Sequence, residues 1–202
     1  MDELYPFLYG TPADPMRDAV ASTANKIAES TALRRRVVSD MSPALETCAT
    51  AMRSHRQGGA RLWSMGNGGS ATDAAGLAWL FRDPPHGPAW PAMALGDTAV
   101  ITALSNDVGF DIVFARQLAA QARSGDILVG LSTSGNSRNL LQAFEQARRQ
   151  GLMTVGLAGG RGGKMAESDC IDHLFVVPSD SIHRIQEAQT TLYHRLWELT
   201  RI

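Results

Sequence analysis

The residues best suited to bind a small charged group lie in one loop near the middle of the chain. An apolar run at 127–131 leads into this loop, and helical periodicity resumes at Asn139. A run that is apolar on both faces is typical of a strand buried in a parallel sheet, so we predict a strand, a loop and a helix. Since free N–H groups and a helix N-terminus favour an anion at such a turn, the pattern predicts a phosphate monoester site. Four hydroxyl side chains would add donors to it: Ser132, Thr133, Ser134 and Ser137.

Other interpretations of this loop were compared with the phosphate site. No lysine follows Gly135, so the loop is not the Gly-Lys-Ser/Thr phosphate loop of nucleoside triphosphatases, which needs a cation for the terminal phosphates. A hydroxyl-rich helix cap without a ligand is the simpler alternative, because one hydroxyl is enough to cap a helix. Four hydroxyls around one glycine exceed that need.

A second turn, the Gly-Asn-Gly-Gly-Ser sequence at 66–70, follows a predicted strand and enters a predicted helix at about 71–81. Its three glycines allow the backbone to approach a ligand closely. Gly66, Gly68 and Ala71 also match the dinucleotide fingerprint, which makes a nicotinamide-dependent oxidoreductase an alternative. The acidic ribose partner expected roughly 20 residues on is replaced by a proline-rich loop at 83–91. A tight turn without any ligand is the third interpretation.

Composition bounds the class of protein. The 202 residues predict a single domain, 1–202, with a sizeable core. A net charge of −1 and a pI near 6.5 offer no electrostatic footprint for nucleic acid or an acidic membrane surface, so we expect a small partner. Cys48 and Cys170 show no ligand pattern and indicate a reducing compartment. Since no apolar run reaches ~18 residues and the start lacks basic residues, we predict a cytoplasmic protein.

Strands alternating with helices define the predicted architecture. We predict an extended N-terminal arm at 1–15, then two helices within 16–57, with Pro43 in the first turn of the second. The remainder, 58–202, predicts a three-layer αβα sandwich around a five-stranded parallel sheet. A glycine loop at 159–164 is expected to be solvated, although its two cations would suit a phosphate. The predicted strands are 61–65, 92–95, 127–131, 152–158 and 173–177. Between the second and third strands we predict a helical stretch that Gly96-Asp97 opens and that runs through Leu104, then the segment 105–107 and a helix at about 110–123.

At about residues 45–200 the sequence resembles the sugar isomerase (SIS) domain family and, within it, the phosphoheptose isomerases. The motifs are Gly66-Asn67-Gly68-Gly69-Ser70, Ser105-Asn106-Asp107 with Gly109-Phe110, Ser132 to Ser137, Gly162-Gly163-Lys164-Met165 and Arg184-Ile185-Gln186-Glu187. The resemblance implies a flavodoxin-like fold and a homotetramer built partly by the N-terminal helices. It also implies a sugar phosphate substrate, typically sedoheptulose 7-phosphate, with its phosphate on the serine loop. The implied sugar contacts are Asn67, Gly68, Ser70, Asp97 and Asn106.

Interconverting an aldose and a ketose requires a base beside the carbonyl carbon and an acid near the carbonyl oxygen. The resemblance implies a glutamate base on the helix after the glycine turn and a histidine acid on the last helix. It also implies zinc in some members, held by these two, a second histidine and a glutamine. Gln186 and His194 match the last-helix half, and their spacing turns the helix by about 80° beyond two turns, so both can face one cleft. Gly76 and Leu80 occupy the other histidine and glutamate positions.

Leucine can neither accept a proton nor bind a metal, so two hypotheses stay open. The first is an isomerase that uses His194 and Gln186 with a substitute carboxylate, Glu187 or Asp83, or works without metal. The second is a catalytically inactive phosphosugar sensor or adaptor. A histidine satisfied in an interface is the alternative for His194. Three aromatic residues are predicted to be core or interface rather than sugar platforms: Trp79, Tyr193 and Trp197.

Overall fold

A five-stranded, all-parallel sheet forms the central layer of the computed structural model, which describes residues 15–201. The strands are β1 (Leu62–Gly66), β2 (Ala92–Ala94), β3 (Ile127–Ser132), β4 (Met153–Gly159) and β5 (His173–Val177). Their order, β2-β1-β3-β4-β5, is that of flavodoxin-like sheets, in which the direction of winding reverses between β1 and β3. The predicted αβα sandwich is therefore confirmed. The predicted arm at 1–14 lies outside the described residues.

Helices cover both faces of the sheet. They are α1 (Pro15–Gln57), α2 (Gly69–Arg82), α3 (Thr98–Val108), α4 (Val113–Gln121), α5 (Arg138–Arg149) and α6 (Ile182–Leu199). Within residues 15–201, two short 3₁₀ helices span Phe110–Ile112 and Gly163–Glu167. Side chains of α1, α2 and α6 share one apolar cluster with the sheet, and side chains of α4 and α5 share the other. The two clusters fix which loops meet at the carboxyl edge of the sheet.

The prediction of two N-terminal helices is wrong, because α1 is continuous through Pro43. A proline inside a helix removes one N–H donor, which leaves the carbonyl of residue 39 without its helical partner. Ser39 and Pro43 are both exposed, so water can satisfy that carbonyl. On the opposite side, Val37, Leu45 and Met52 form one buried stripe that spans the proline. Burial of this stripe outweighs the local cost of Pro43.

The predicted boundaries around α3 also change. The Ser105-Asn106-Asp107 segment was expected to follow a helix, but it lies inside α3, which ends at Gly109 with φ 95°. The helix expected at about 110–123 is divided into the 3₁₀ turn Phe110–Ile112 and the shorter α4. A positive φ at Gly109 carries no steric cost, so the chain can turn there and start again.

The aromatic and thiol predictions have different outcomes. Tyr193 and Trp197 are core residues, whereas Trp79 is 57% exposed, with the Arg82 guanidinium 5.2 Å from its ring centroid. Cys48 and Cys170 are unpaired, and burial, followed by the nearby charge of Asp172, raises the pKa of Cys48 to about 12.

Between residues 15 and 201, no helix combines the length and apolar character needed to cross a bilayer.

Candidate active site

The serine loop, residues 132–137, leaves β3 at the point where the winding of the sheet reverses. Ser132 is buried at the strand end, and its Oγ accepts a hydrogen bond from the N–H of Gly135 (3.1 Å) and lies 3.1 Å from Ser137 Oγ. Ser137 is the N-cap residue of α5, yet its side chain caps no N–H group. The Ser137 hydroxyl therefore does not cap the helix, as the simpler alternative requires. Their arrangement at a helix N-terminus suits a phosphate oxygen.

A glycine loop packs directly on the serine loop. The N–H of Met165 donates to the carbonyl of Gly135 (3.0 Å), and the N–H of Lys164 donates to Asn136 Oδ1 (3.0 Å). Gly135 has φ 66°, and a Cβ atom there would overlap the carbonyl of Gly162. The expectation of a solvated loop at 159–164 is wrong for its second half, because Gly162 is buried in this contact.

A cleft of about 390 Å³ opens beside the two loops and the start of α6. Its volume falls within the range of small-ligand pockets. The exposed Arg161 reaches its border and supplies a cation near the hydroxyls. The other residues around the cleft, among them one carboxylate, are Thr133, Ser134, Asn136, Gly159, Gly160, Gly163, Ser179, Asp180, Ile182 and Ile185. A phosphorylated end group would lie here with the serine loop on one side and α6 on the other.

Two asparagines tie the glycine turn after β1 to the helix after the serine loop. Asn67 Nδ2 donates to Asn139 Oδ1 (2.8 Å), and Asn139 Nδ2 donates back to Asn67 Oδ1 (2.9 Å). Asn139 is only 2% exposed, and its Oδ1 also accepts from the N–H of Leu140 (3.0 Å). The sequence analysis missed Asn139, although a polar residue on an otherwise apolar helix face was a usable signal. This pair fixes the spacing of the two turns.

The five predicted sugar contacts fall into two groups. Asn67, Gly68 and Ser70 lie together where β1 meets α2, beside the serine loop. Asp97 follows β2 and caps α3, where its Oδ1 accepts from the N–H of Val100 (2.9 Å). Asn106 lies nine residues further along α3, about 13 Å by helix rise, and donates to Asp107 Oδ1 (2.9 Å). Among the described contacts, only the first group is joined to the helix that follows the serine loop, through the bond from Asn67 to Asn139.

Helices α2 and α6 run side by side. Positions 69, 73 and 76 of α2 face positions 186, 190 and 193 of α6, so each helix contributes residues at i, i+4 and i+7. Gln186 packs on Gly69, where an added Cβ atom would overlap its amide. Gln186 Nε2 donates to Asp73 Oδ2 (3.4 Å), and Thr190 Oγ1 donates to Asp73 Oδ1 (3.5 Å). A Cβ atom at Gly76 would lie 3.2 Å from the Tyr193 hydroxyl. We call the four polar residues the α2–α6 seam: Asp73, Gln186, Thr190 and Tyr193.

The seam alters the proton affinity of two groups. Burial raises the pKa of the Asp73 carboxyl, opposed by the hydrogen bonds from Gln186 and Thr190. Burial also raises the pKa of the Tyr193 hydroxyl, opposed by its hydrogen bond to Thr190 and assisted by the charge of Asp73. Asp73 and Tyr193 were not among the predicted site residues. The available signal was the matching i, i+4, i+7 spacing on two helices. This signal can be used only when α2 and α6 are known to be neighbours.

The other predicted catalytic residues lie around this seam, not in it. The His194 ring stacks on Tyr193 with centroids 5.0 Å apart; partial burial lowers its pKa, opposed by Glu198 and assisted by Arg34. Glu187 pairs with Arg184 and accepts a hydrogen bond from Ser30 of α1.

Asp83 follows the last residue of α2, about 21 Å along the helix from Gly69. Since Glu187 is engaged toward α1 and Asp83 lies at the distant end of α2, the geometry favours neither as the substitute base.

The zinc site implied by the resemblance does not fit the residues present. Gly76 offers no ligand atom, and Leu80 is 8% exposed within the apolar cluster. The Gln186 amide is directed at Asp73, and His194 lies about 12 Å further along α6. Among residues 15–201, no three His, Cys, Asp or Glu side chains are grouped so that they could hold a metal.

Comparison with known proteins identifies the family of this chain. The SIS domain model matches residues 27–159, so the chain belongs to the SIS domain family. Its relatives include phosphoheptose isomerases: that of Solidesulfovibrio magneticus is 41% identical over 185 residues, covering 90% of this chain and 89% of the relative. That of Desulfovibrio desulfuricans is 49% identical over 146 residues, covering 70% and 68%. The phosphoheptose isomerase structure from Francisella tularensis has a TM-score of 0.84 at 31% identity, covering 91% and 98%. The resemblance found in the sequence is confirmed.

Proposed function

We propose that this chain is an aldose–ketose isomerase of the phosphoheptose isomerase type, acting on sedoheptulose 7-phosphate or a similar phosphosugar. The observation that carries the proposal is the serine loop: Thr133 and Ser134 line the cleft, and the Ser137 hydroxyl contacts that of Ser132 instead of capping α5. The 41–49% identity to phosphoheptose isomerases gives the reaction type. In this arrangement the loop holds the phosphate, and the sugar extends across the glycine turn toward α6.

Exchange of substrate protons with solvent tests the proposal directly. Isomerisation passes through an enediol, so enzyme in D₂O should remove the signal of one of the two C1 protons of sedoheptulose 7-phosphate and form an aldose. The double variant Ser134→Ala/Ser137→Ala should raise KM at least 10-fold, because charge-assisted hydrogen bonds to phosphate are lost. Ser124→Ala, at an exposed serine before β3, is the matched control. Absence of exchange at saturating substrate would overturn the isomerase proposal.

A second candidate function is favoured by Gly76 and Leu80. These residues carry no proton-transfer group, as expected of a phosphosugar sensor or adaptor without turnover. Calorimetric binding of sedoheptulose 7-phosphate together with no proton exchange would select this candidate. Neither binding nor exchange would reject both.

The predicted homotetramer is also a proposal, supported by the exposed part of α1. Met16, Val20 and Ile27 are exposed and fall within about 40° on one face of the helix. An apolar stripe of this kind marks an interaction surface, and we propose a second copy of the chain as its partner. Light scattering should give about four times 21.7 kDa, and Val20→Gln/Ile27→Gln should lower that mass. A monomeric wild type would contradict the proposal. The cytoplasmic location stays a prediction.

A further inference from the structure

The chemistry of an aldose–ketose isomerase requires a base, and the structure restricts which carboxylate can serve. Glu187 is neutralised by Arg184, and Asp126 is neutralised by Arg61 at the opposite edge of the sheet. Asp83 lies at the distant end of α2. Asp73 is in none of the ion pairs among residues 15–201, and unlike Asp97 and Asp180, which are also outside those pairs, it is not exposed. It is a half-buried carboxylate without a cation beside it.

The contacts of Asp73 leave it free to accept a proton. Its two hydrogen bonds, from Gln186 Nε2 and Thr190 Oγ1, are long, at 3.4 and 3.5 Å. A carboxylate has about four lone-pair positions, so roughly two stay open for a substrate. Gln186 and Thr190 hold the group on the side of α2 that faces α6. Its neighbours therefore hold this carboxylate in position and leave part of its hydrogen-bonding capacity available.

Tyr193 supplies a hydroxyl on the same seam, one helical turn from Asp73. Its oxygen lies against Gly76, and a side chain at that position would press on it, since an added Cβ atom is only 3.2 Å away. Tyr193 is 5% exposed, but Gly76 is exposed, so the phenol oxygen lies beneath a surface position at which a substrate would contact it. The absence of a side chain at Gly76 and the presence of Tyr193 are therefore complementary.

The seam begins where the phosphate cleft ends. Ile185 borders the cleft, and the next residue, Gln186, packs on Gly69 of the turn after β1 and contacts Asp73. A sugar held by its phosphate at the serine loop and extended along this path brings its far end to the seam. We propose that Asp73 is the catalytic base of this chain and that the Tyr193 hydroxyl is its acid partner, an inference that rests on the proposed isomerase function.

The proposed step conserves atoms and electrons. For an aldose, the Asp73 carboxylate takes the C2 proton, and the C–H electron pair becomes the carbon–carbon double bond of an enediol. The C=O π pair forms a bond to the proton that Tyr193 donates. The proton on Asp73 exchanges with solvent, and Asp73 then delivers a proton to C1, while the Tyr193 phenolate takes the proton of the C2 hydroxyl, which becomes the ketose carbonyl. Both residues are regenerated, and the step needs no oxidant or reductant.

The experiment measures solvent deuterium entering sedoheptulose 7-phosphate by NMR, together with kcat, KM and melting temperature. Asp73→Asn should lower the exchange rate at least 10²-fold with KM changed less than about 3-fold, because a base contributes 10²–10⁴ to rate. Asp73→Glu, which keeps the carboxylate but displaces it, should retain partial exchange. Tyr193→Phe should lower kcat about 10- to 100-fold. Asp40→Asn, at an exposed aspartate of α1, is the matched control.

The outcomes separate the two proposals. No exchange by the wild type rejects the isomerase function itself. Exchange by the wild type and equally by Asp73→Asn overturns the assignment of Asp73 and leaves the isomerase function intact. Should Asp73→Asn fail to fold, Asp73→Glu decides, since wild-type kcat in that variant contradicts a base whose position matters. Equal kcat for Tyr193→Phe and wild type overturns the assignment of Tyr193.

Discussion

At the scale of single residues, Asp126 shows how a buried carboxylate is stabilised away from the site. It is 3% exposed and accepts hydrogen bonds from Trp63 Nε1 (2.9 Å), the Arg61 guanidinium (2.8 Å) and the N–H of Arg123 (3.0 Å). Burial alone would raise its pKa, but the hydrogen bonds from Trp63, Arg61 and the backbone lower the pKa below the usual value. The group therefore stays ionised and joins β1 to the start of β3.

This pKa shift predicts a pH dependence of stability. Because the folded pKa of Asp126 lies below the unfolded value, its contribution is complete above about pH 4 to 5 and is lost as pH falls through the folded pKa. Asp126→Asn should lower the free energy of unfolding at pH 7 by roughly 2–4 kcal/mol, because buried donors lose a charged acceptor. Urea unfolding between pH 3 and pH 7 checks this. A wild type and variant with parallel pH profiles would contradict it.

Gly135 is the residue on which the shape of the serine loop depends. Gly135→Ala forces a Cβ atom into the Gly162 carbonyl at a φ of 66°, which L-residues rarely adopt. We expect KM for the phosphosugar to rise at least 10-fold and stability to fall by about 1–3 kcal/mol. Gly96→Ala is the control, since a Cβ atom there meets nothing within 4 Å. Equal KM values for the two variants would show that the loop tolerates the shift.

At the scale of secondary-structure elements, α1 shows that burial on one face can override a local break. The helix continues through Pro43 because its apolar stripe is uninterrupted and the orphaned carbonyl is exposed. The strands were predictable, since short buried apolar runs between glycine turns leave few alternatives. The contact between α2 and α6 could not be predicted. Periodicity shows which face of a helix is apolar but not which other helix that face meets. That is why Asp73 and Tyr193 escaped the sequence analysis while the serine loop did not.

Replacing Pro43 should therefore stabilise the protein. Pro43→Ala restores one N–H donor at an exposed position of α1, and proline costs about 3 kcal/mol relative to alanine inside a helix. Because the structure already accommodates the proline, we expect a gain of about 1–2 kcal/mol in the free energy of unfolding. Thermal and urea unfolding measure it, with Ala44→Ser as a control for substitution at the adjacent exposed site. A destabilised Pro43→Ala variant would mean that the proline geometry is required.

At the scale of the whole molecule, the reversal of winding between β1 and β3 gathers the functional parts at one edge. The serine loop, the glycine turn and the start of α6 meet there, and the Asn67–Asn139 pair joins two of them. A ligand bound at this edge would contact loops from β1, β3 and β4, so its binding energy would add to the stability of the entire fold.

Phosphorylated ligands should therefore raise the melting temperature. At 100 times its Kd, a ligand specific to the folded state adds about 2.7 kcal/mol. For a chain of about 200 residues this corresponds to roughly 5–11 °C. Sedoheptulose 7-phosphate should give this shift, and unphosphorylated sedoheptulose at the same concentration should give almost none. Equal shifts with both sugars would show that the phosphate is not the anchor.

The weak burial of α3 has a consequence for local opening of the fold. None of its residues is fully buried, and Ile101 and Leu104 only partly cover the second apolar cluster. Elements with few buried contacts open at a lower free energy than the whole domain. The amide hydrogens of Thr98–Val108 should thus exchange with deuterium well before those of α5, whose inner face is fully buried. Asn106 would then lie on α3, which opens at the lower free energy, whereas the serine loop is joined to α5, which opens at the higher free energy.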